Sequence, residues 1–317
     1  MSCNVAENTL AETGAKWRTE NLGYRLFIAN DRFLRDKLLT AQSGGFAAIT
    51  DALISLLINI DSAGTRVSEI ALRTGLTKQS VVELIDRAEN LGAVTRDIDL
   101  DDKRARIIRF TPHGVRISKR LQQGITEAEQ RFVAITGEEF TREFKARFGA
   151  YSALPATEGD VVGSSTGMRT DASWRSGNVG RVLALASRRF AREALSRVHQ
   201  RKYHEVTEVM LALFRNLDLE GTRLTEIAAR ARMTKQSMRE LVDMAEIHGF
   251  VERCSDPTDR RAKIIAFSSS GLAMLEEMRL GLSGAEDQAG RIVGEAFINE
   301  AKLRLSDYAV SSRAITL

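Results

Sequence analysis

Residues 64–96 read GTRVSEIALRTGLTKQSVVELIDRAENLGAVTR, and residues 221–253 read GTRLTEIAARARMTKQSMRELVDMAEIHGFVER. Gly64 and Gly221 stand 157 positions apart (221 − 64), and that spacing holds without a gap on either side of the quoted stretch. Upstream, Trp17-Arg18 matches Trp174-Arg175, and Arg32-Phe33 matches Arg189-Phe190. Downstream, Gly137-Glu138 matches Gly294-Glu295, and Tyr151 matches Tyr308. Two ungapped copies of about 140 residues read as a duplicated domain, too few for a solenoid.

The chain of 317 residues is long enough for two such domains. The expected organisation is an arm over 1–12, a first domain over 13–152, a linker over 153–169 and a second domain over 170–317. The linker, ALPATEGDVVGSSTGMR, lacks periodic apolar positions. As a flexible segment it would span roughly 20–25 Å. Hydrophobic content of 43% and charged content of 28% exclude a disordered or collagen-like chain. The apolar run from Ala52 to Ile58 is broken by Ser55 and too short for a membrane span. The first residues, MSCNVAENTL, carry no secretory signal pattern, so a cytoplasmic protein is expected. Cys3 and Cys254 are too few for a disulfide framework. A net charge of +4 leans mildly toward an anionic partner.

Only Pro112, Pro155 and Pro257 interrupt the chain, and aromatic residues make up 6% of it. Both observations predict a mainly helical fold. In the first copy, helices are expected over Gly23–Ala41, Phe46–Ile60, Ser68–Thr74 and Lys78–Leu91. Two β-strands follow, Ala93–Arg96 and Arg106–Phe110, around a charged turn. A long helix then starts at Thr111-Pro112, with threonine as cap and proline in the first helical position. A last helix follows Gly137.

Three short helices followed by a two-stranded ribbon make a winged helix-turn-helix. Ala71 is small where two helices must approach, Gly75 lies in the turn, and Val81 and Leu84 face the core. Thr77 is placed to cap the next helix, so Lys78, Gln79 and Ser80 emerge at its N-terminal end. Thr234, Lys235, Gln236 and Ser237 repeat the arrangement. In helix-turn-helix docking such residues meet base edges in the major groove, where Gln suits adenine and Lys suits guanine or phosphate. Five residues after the cap the copies differ, with Val82 in one and Arg239 in the other, at a position expected to face the groove. The turn differs too: Gly75 becomes Arg232. If that turn needs a positive φ, arginine costs roughly 1 kcal/mol there.

The ribbon turns read DIDLDDKRARIIRFT and CSDPTDRRAKIIAFS. Each sets acids (Asp99, Asp102; Asp256, Asp259) beside bases (Lys103, Arg104; Arg260, Arg261). Cations at a hairpin tip suit a narrow, electronegative minor groove, and a nearby carboxylate can hold an arginine in place.

The wing pattern Asp-x-x-Asp-Arg-Arg and the Thr-x-x-Gly helix start together resemble the MarR (multiple antibiotic resistance regulator) family. The second copy matches at Asp256 and Asp259-Arg260-Arg261. The first has Asp99, Asp102-Lys103-Arg104 and Thr111-Pro112-His113-Gly114, and the second departs at Ser268, where the family usually has threonine. The resemblance covers nearly all of both copies. It implies a mainly α fold of two tandem winged helix-turn-helix domains, equivalent to a homodimer fused into one pseudo-dimeric chain. It also implies a regulator of transcription, acting as a repressor of a pseudo-palindromic operator in double-stranded DNA. A small effector such as an aromatic acid would release it, and no cofactor is expected. Trp17, Arg18, Trp174 and Arg175 are candidate effector contacts by stacking and carboxylate pairing. A competing reading has each tryptophan pin the start of the first helix against the core.

Cys3 has no matching cysteine in the second copy, which weakens a redox role. His199 and His204 lack a cluster at metal-ligand spacing, so no metal site is expected. G-x-S-x-G, phosphate-loop and dinucleotide motifs are absent from the sequence, so an enzyme is not expected. Two other classes compete, a tandem winged-helix replication initiator and a protein–protein adaptor. Basic wings and polar helix starts kept in both copies favour the regulator.

Overall fold

The computed structural model describes residues 16–43, 46, 48–74, 76–99, 105–153, 177–256 and 262–311. The first half contains α1 (Trp17–Glu20), α2 (Leu22–Ser43), α3 (Asp51–Leu57), β1 (Thr65–Arg66), α4 (Val67–Thr74) and α5 (Lys78–Asn90). It continues through β2 (Val94–Ile98), β3 (Arg106–Phe110), α6 (Pro112–Thr136) and α7 (Glu138–Ala153). From α2 onward, the second half repeats the order as α8 (Val179–Gln200), α9 (Leu211–Asn216), β4 (Thr222–Arg223), α10 (Leu224–Ala231) and α11 (Lys235–Ile247). It ends with β5 (Val251–Ser255), β6 (Lys263–Phe267), α12 (Ser269–Val293) and α13 (Glu295–Val310). Helices dominate, and the strands form two small antiparallel sheets of order β1-β3-β2 and β4-β6-β5.

Several elements differ from the sequence expectation for local reasons. The helix expected over Phe46–Ile60 is confined to Asp51–Leu57, because Thr50 is extended and its side chain accepts from the Leu53 amide as a cap. Before α2 the chain breaks at Asn21, whose Oδ1 accepts from the Tyr24 amide at 2.9 Å while Nδ2 donates to the Trp17 carbonyl. Strands β1 and β4 are additions to the expected elements, since two residues are too short for a periodic signal. Thr65 pairs with Ile108, and Thr222 with Ile265. Strand β2 runs two residues beyond the expected Arg96, into the charged turn. Asp97 is tolerated there because it is exposed and pairs with Arg109 at 3.1 Å across the ladder.

The chain divides into two compact units that cut across the repeat. One combines Leu26–Ala186 with Leu303–Leu317, and the other combines Met1–Arg25 with Ser187–Lys302. In the first, Leu53, Ile54, Ile70, Val81, Ile85 and Ile108 form the core beneath the sheet. A second aromatic group joins Phe132, Phe144 and Phe148 to Tyr308, whose ring meets Phe132 edge-on at 4.8 Å. In the other unit, Leu213, Phe214, Val242, Phe250, Phe267 and Met274 are buried, and Trp17 packs against them. Burying each large apolar side chain contributes about 1.5–3 kcal/mol.

The Thr-x-x-Gly helix start has a steric reason. Thr111 accepts from the Gly114 amide at 2.9 Å, and a Cβ on Gly114 would run into the Ala93 carbonyl oxygen. Gly271 lies against the Phe250 carbonyl in the same way, and Ser268 accepts from its amide at 3.0 Å. Serine therefore performs the capping task of threonine, and the departure at Ser268 is chemically neutral. This close approach holds each ribbon against the start of its long helix.

Candidate nucleic-acid interface

Helices α5 and α11 are built to hold one face in the core and offer the other to solvent. Val81, Leu84, Ile85 and Ala88 are buried in α5, as are Met238, Leu241, Val242 and Ala245 in α11. Thr77 accepts from the Ser80 amide at 3.1 Å, and Thr234 from the Ser237 amide at 3.0 Å. These caps fix the first turn, so Lys78, Gln79, Lys235 and Gln236 stand exposed at the helix starts. Gln79 donates to Glu83 at 3.4 Å and Gln236 to Glu240 at 3.1 Å. Val82 and Arg239 lie on the same outer faces.

The turn before α11 keeps a left-handed residue: Arg232 has φ 53° and ψ 38°, and its amide donates to the Ala228 and Ala229 carbonyls. Gly75 falls outside the described residues. So do the wing-tip bases Lys103, Arg104, Arg260 and Arg261, with Asp102 and Asp259.

The base of each wing is anchored by ion pairs. Asp99 is 1% exposed and accepts from Arg66 Nε at 2.5 Å, while Asp256 accepts from Arg223 Nε at 2.7 Å. Arg66 and Arg223 sit on the two-residue strands that periodicity does not reveal. Arg96 on β2 pairs with Asp86 and, at 3.3 Å, with Glu89, and Arg253 on β5 pairs with Asp243 and Glu246. Each wing is thereby tied to its own polar helix. Arg73 and Arg230 brace the preceding helix, bonding Asp61 at 2.7 Å and Asp218 at 2.8 Å respectively. The repetition of these pairs is the signal that the sequence offers for them.

No family model matches the chain. Over 87 residues it is 26% identical to a protein named as a putative transcriptional regulatory protein for the hcr operon of Thauera aromatica. That match takes in 27% of this chain and 52% of the relative, so it spans about half the relative's length. The similarity is to a transcriptional regulator. Among solved structures, the chain is similar to the transcriptional repressor CouR bound to a 23-mer DNA duplex. The identity is 24%, the match covers 37% of this chain and 82% of that one, and the TM-score is 0.32.

Two of the candidate effector residues, Trp17 and Arg18, have partners inside the fold. Arg18 donates to the Leu217 carbonyl at 2.7 Å and to that of Phe214, at the end of α9, and its guanidinium lies 5.9 Å from the centre of the Phe267 ring. Burial lowers its pKa, opposed by Asp218 and Glu220. Trp17 packs against the same core. Both therefore pin the first helix in this unit, whereas Trp174 and Arg175 lie outside the described residues. His199 Nε2 meets the Val206 carbonyl at 2.7 Å, and no group of three metal-ligating side chains occurs among the described residues. No helix among them is long and apolar enough to cross a membrane.

One buried cation carries no mark in the sequence. Lys37 on α2 is 8% exposed, and burial lowers its pKa to about 8 against the opposing charge of Asp51.

Proposed function

We propose that the chain is a DNA-binding transcriptional regulator whose two polar helices, α5 and α11, each enter a major groove. The observation that carries this reading is the doubled helix start. In both copies a threonine cap sets an exposed Lys-Gln pair above a buried apolar face. An adaptor would not require the same Lys-Gln pair at the helix start of both copies. The basic wing tips supply phosphate or minor-groove contacts beside each helix. The similarity to a transcriptional regulatory protein supports the same reading.

The finer reading is a MarR-like pseudo-dimer in one chain that represses from a pseudo-palindromic site, with half-sites about one helical turn apart. A small aromatic acid releases it. Trp17 and Arg18 take part only if the first helix rearranges, since both are engaged inside the fold. The protein acts in the cytoplasm, without a cofactor and without catalysis.

Gel shift and footprinting against genomic fragments, with excess nonspecific DNA, test the reading. Retention of one fragment is expected, with loss of selective binding in the Lys78→Ala, Lys235→Ala double variant. Equal binding to all fragments at every salt concentration would refute a regulator that reads sequence.

A further inference from the structure

We propose that the two helices read different half-sites, with Arg239 of α11 selecting a guanine where Val82 of α5 meets a thymine methyl. This rests on the DNA-binding reading above and deepens it.

The starts of the two helices are otherwise matched. Thr77 and Thr234 cap identical Lys-Gln-Ser turns, so the residue five positions later occupies the same place on each helix. It lies four residues after the exposed lysine and three after the exposed glutamine, which puts it on their face. There Val82 is 39% exposed, and Arg239 is exposed as well. The carboxylates nearest Arg239 along the helix already have donors. Glu240 accepts from Gln236 at 3.1 Å, and Asp243 and Glu246 pair with Arg253. Among the described residues Arg239 makes neither an ion pair nor a hydrogen bond, so its planar fork of donors stands in solvent. That fork fits the N7 and O6 acceptors of guanine, whereas two methyl groups can only contact a thymine methyl. The neighbouring turn is also specific to the second copy. Arg232 holds a left-handed conformation that glycine adopts freely, and the first copy has Gly75 at the corresponding sequence position. A second exposed arginine, in a left-handed conformation, thus stands beside the same helix.

Selection of bound duplexes from a randomised library by the full chain tests the proposal. The wild type should enrich an asymmetric site, and replacing the guanine in its one half should weaken binding about 10–100-fold. Arg239→Val should erase that preference, and Arg239→Lys should weaken it without abolishing it, because an ammonium reaches the same acceptors without the planar fork. Val82→Arg should bring guanine into the other half and make the site symmetric. Symmetric sites from the wild type would overturn the proposal. So would an Arg239→Val variant that binds every duplex more weakly by one factor with a shallower salt dependence, the mark of a phosphate contact. Failure of the wild type to enrich any duplex would overturn the DNA-binding reading itself.

Discussion

At the residue scale, Lys37 shows how burial alone sets a property. Its amine is pushed down to about 8 from the ordinary lysine value, first by desolvation and against the attraction of Asp51. The unfolded chain therefore binds more protons than the folded one between about pH 8 and the ordinary lysine value, and stability rises with pH across that window. Below it the buried charge destabilises the fold, by up to about 3 kcal/mol at about 1.36 kcal/mol per unit. Lys37→Met keeps the volume and removes the charge. It should raise the melting temperature at neutral pH and abolish the rise between about pH 8 and 10, as thermal unfolding across that range will show. The equivalent position in the second copy is Ala194, so an uncharged residue already fits this place in the repeat. Glycine gives the opposite case at Gly271, where a Cβ would meet the Phe250 backbone. Because backbone yields less readily than a side-chain end, Gly271→Ala should destabilise by about 1–3 kcal/mol or more in denaturant titrations. Gly149, with open space around its Cβ position, should tolerate alanine.

At the element scale, each wing is a short ribbon braced at its base and charged at its tip. The brace is the buried carboxylate, Asp99 or Asp256, held by an arginine from the two-residue strand. The tips act by charge in the proposed function, so Arg104→Ala with Arg261→Ala should weaken binding to most duplexes. Each lost phosphate contact should reduce the slope of log affinity against log salt by about 0.9. Fluorescence anisotropy at several salt concentrations measures it, and an unchanged slope would mean that the tips do not touch DNA. The surface pairs Arg96–Asp86 and Arg253–Asp243 are partly exposed. Pairs of that kind contribute only about 0.2–1 kcal/mol, so their role is to orient the wing rather than to stabilise the fold.

At the scale of the whole molecule, the compact units do not coincide with the repeats. The unit around Phe214 and Phe250 takes its Trp17 and Arg18 from the start of the chain. The unit around Phe132 takes Tyr308 from the end, where the hydroxyl donates to Asp36 at 3.1 Å. A fragment ending before residue 154, or one starting there, lacks a segment that its core buries. Neither should fold as a monomer. Sedimentation and circular dichroism should find each one either unfolded or self-associated, while mixing the two should restore a cooperative transition. A stable, well-folded monomer from either half would contradict this division.

Much of the local structure was legible because it follows from short-range chemistry. The 157-residue spacing is read by comparing the two copies, and the capped helix starts at Thr77 and Thr234, the buried stripe of α5 and the Thr-Pro start of α6 need only neighbouring residues. Other features depended on groups far apart in the chain. Strands β1 and β4 exist only because β3 and β6 accept them. The Arg66–Asp99 pair joins residues 33 positions apart, and Arg18 finds its carbonyl 199 positions away. Lys37 looks like any surface lysine until α2 packs its stem out of water. By itself the sequence determined the repeat, the helix starts and the charges they present. Only tertiary packing decided which segments complete each core, because burial and hydrogen-bond satisfaction depend on closeness in space rather than order along the chain.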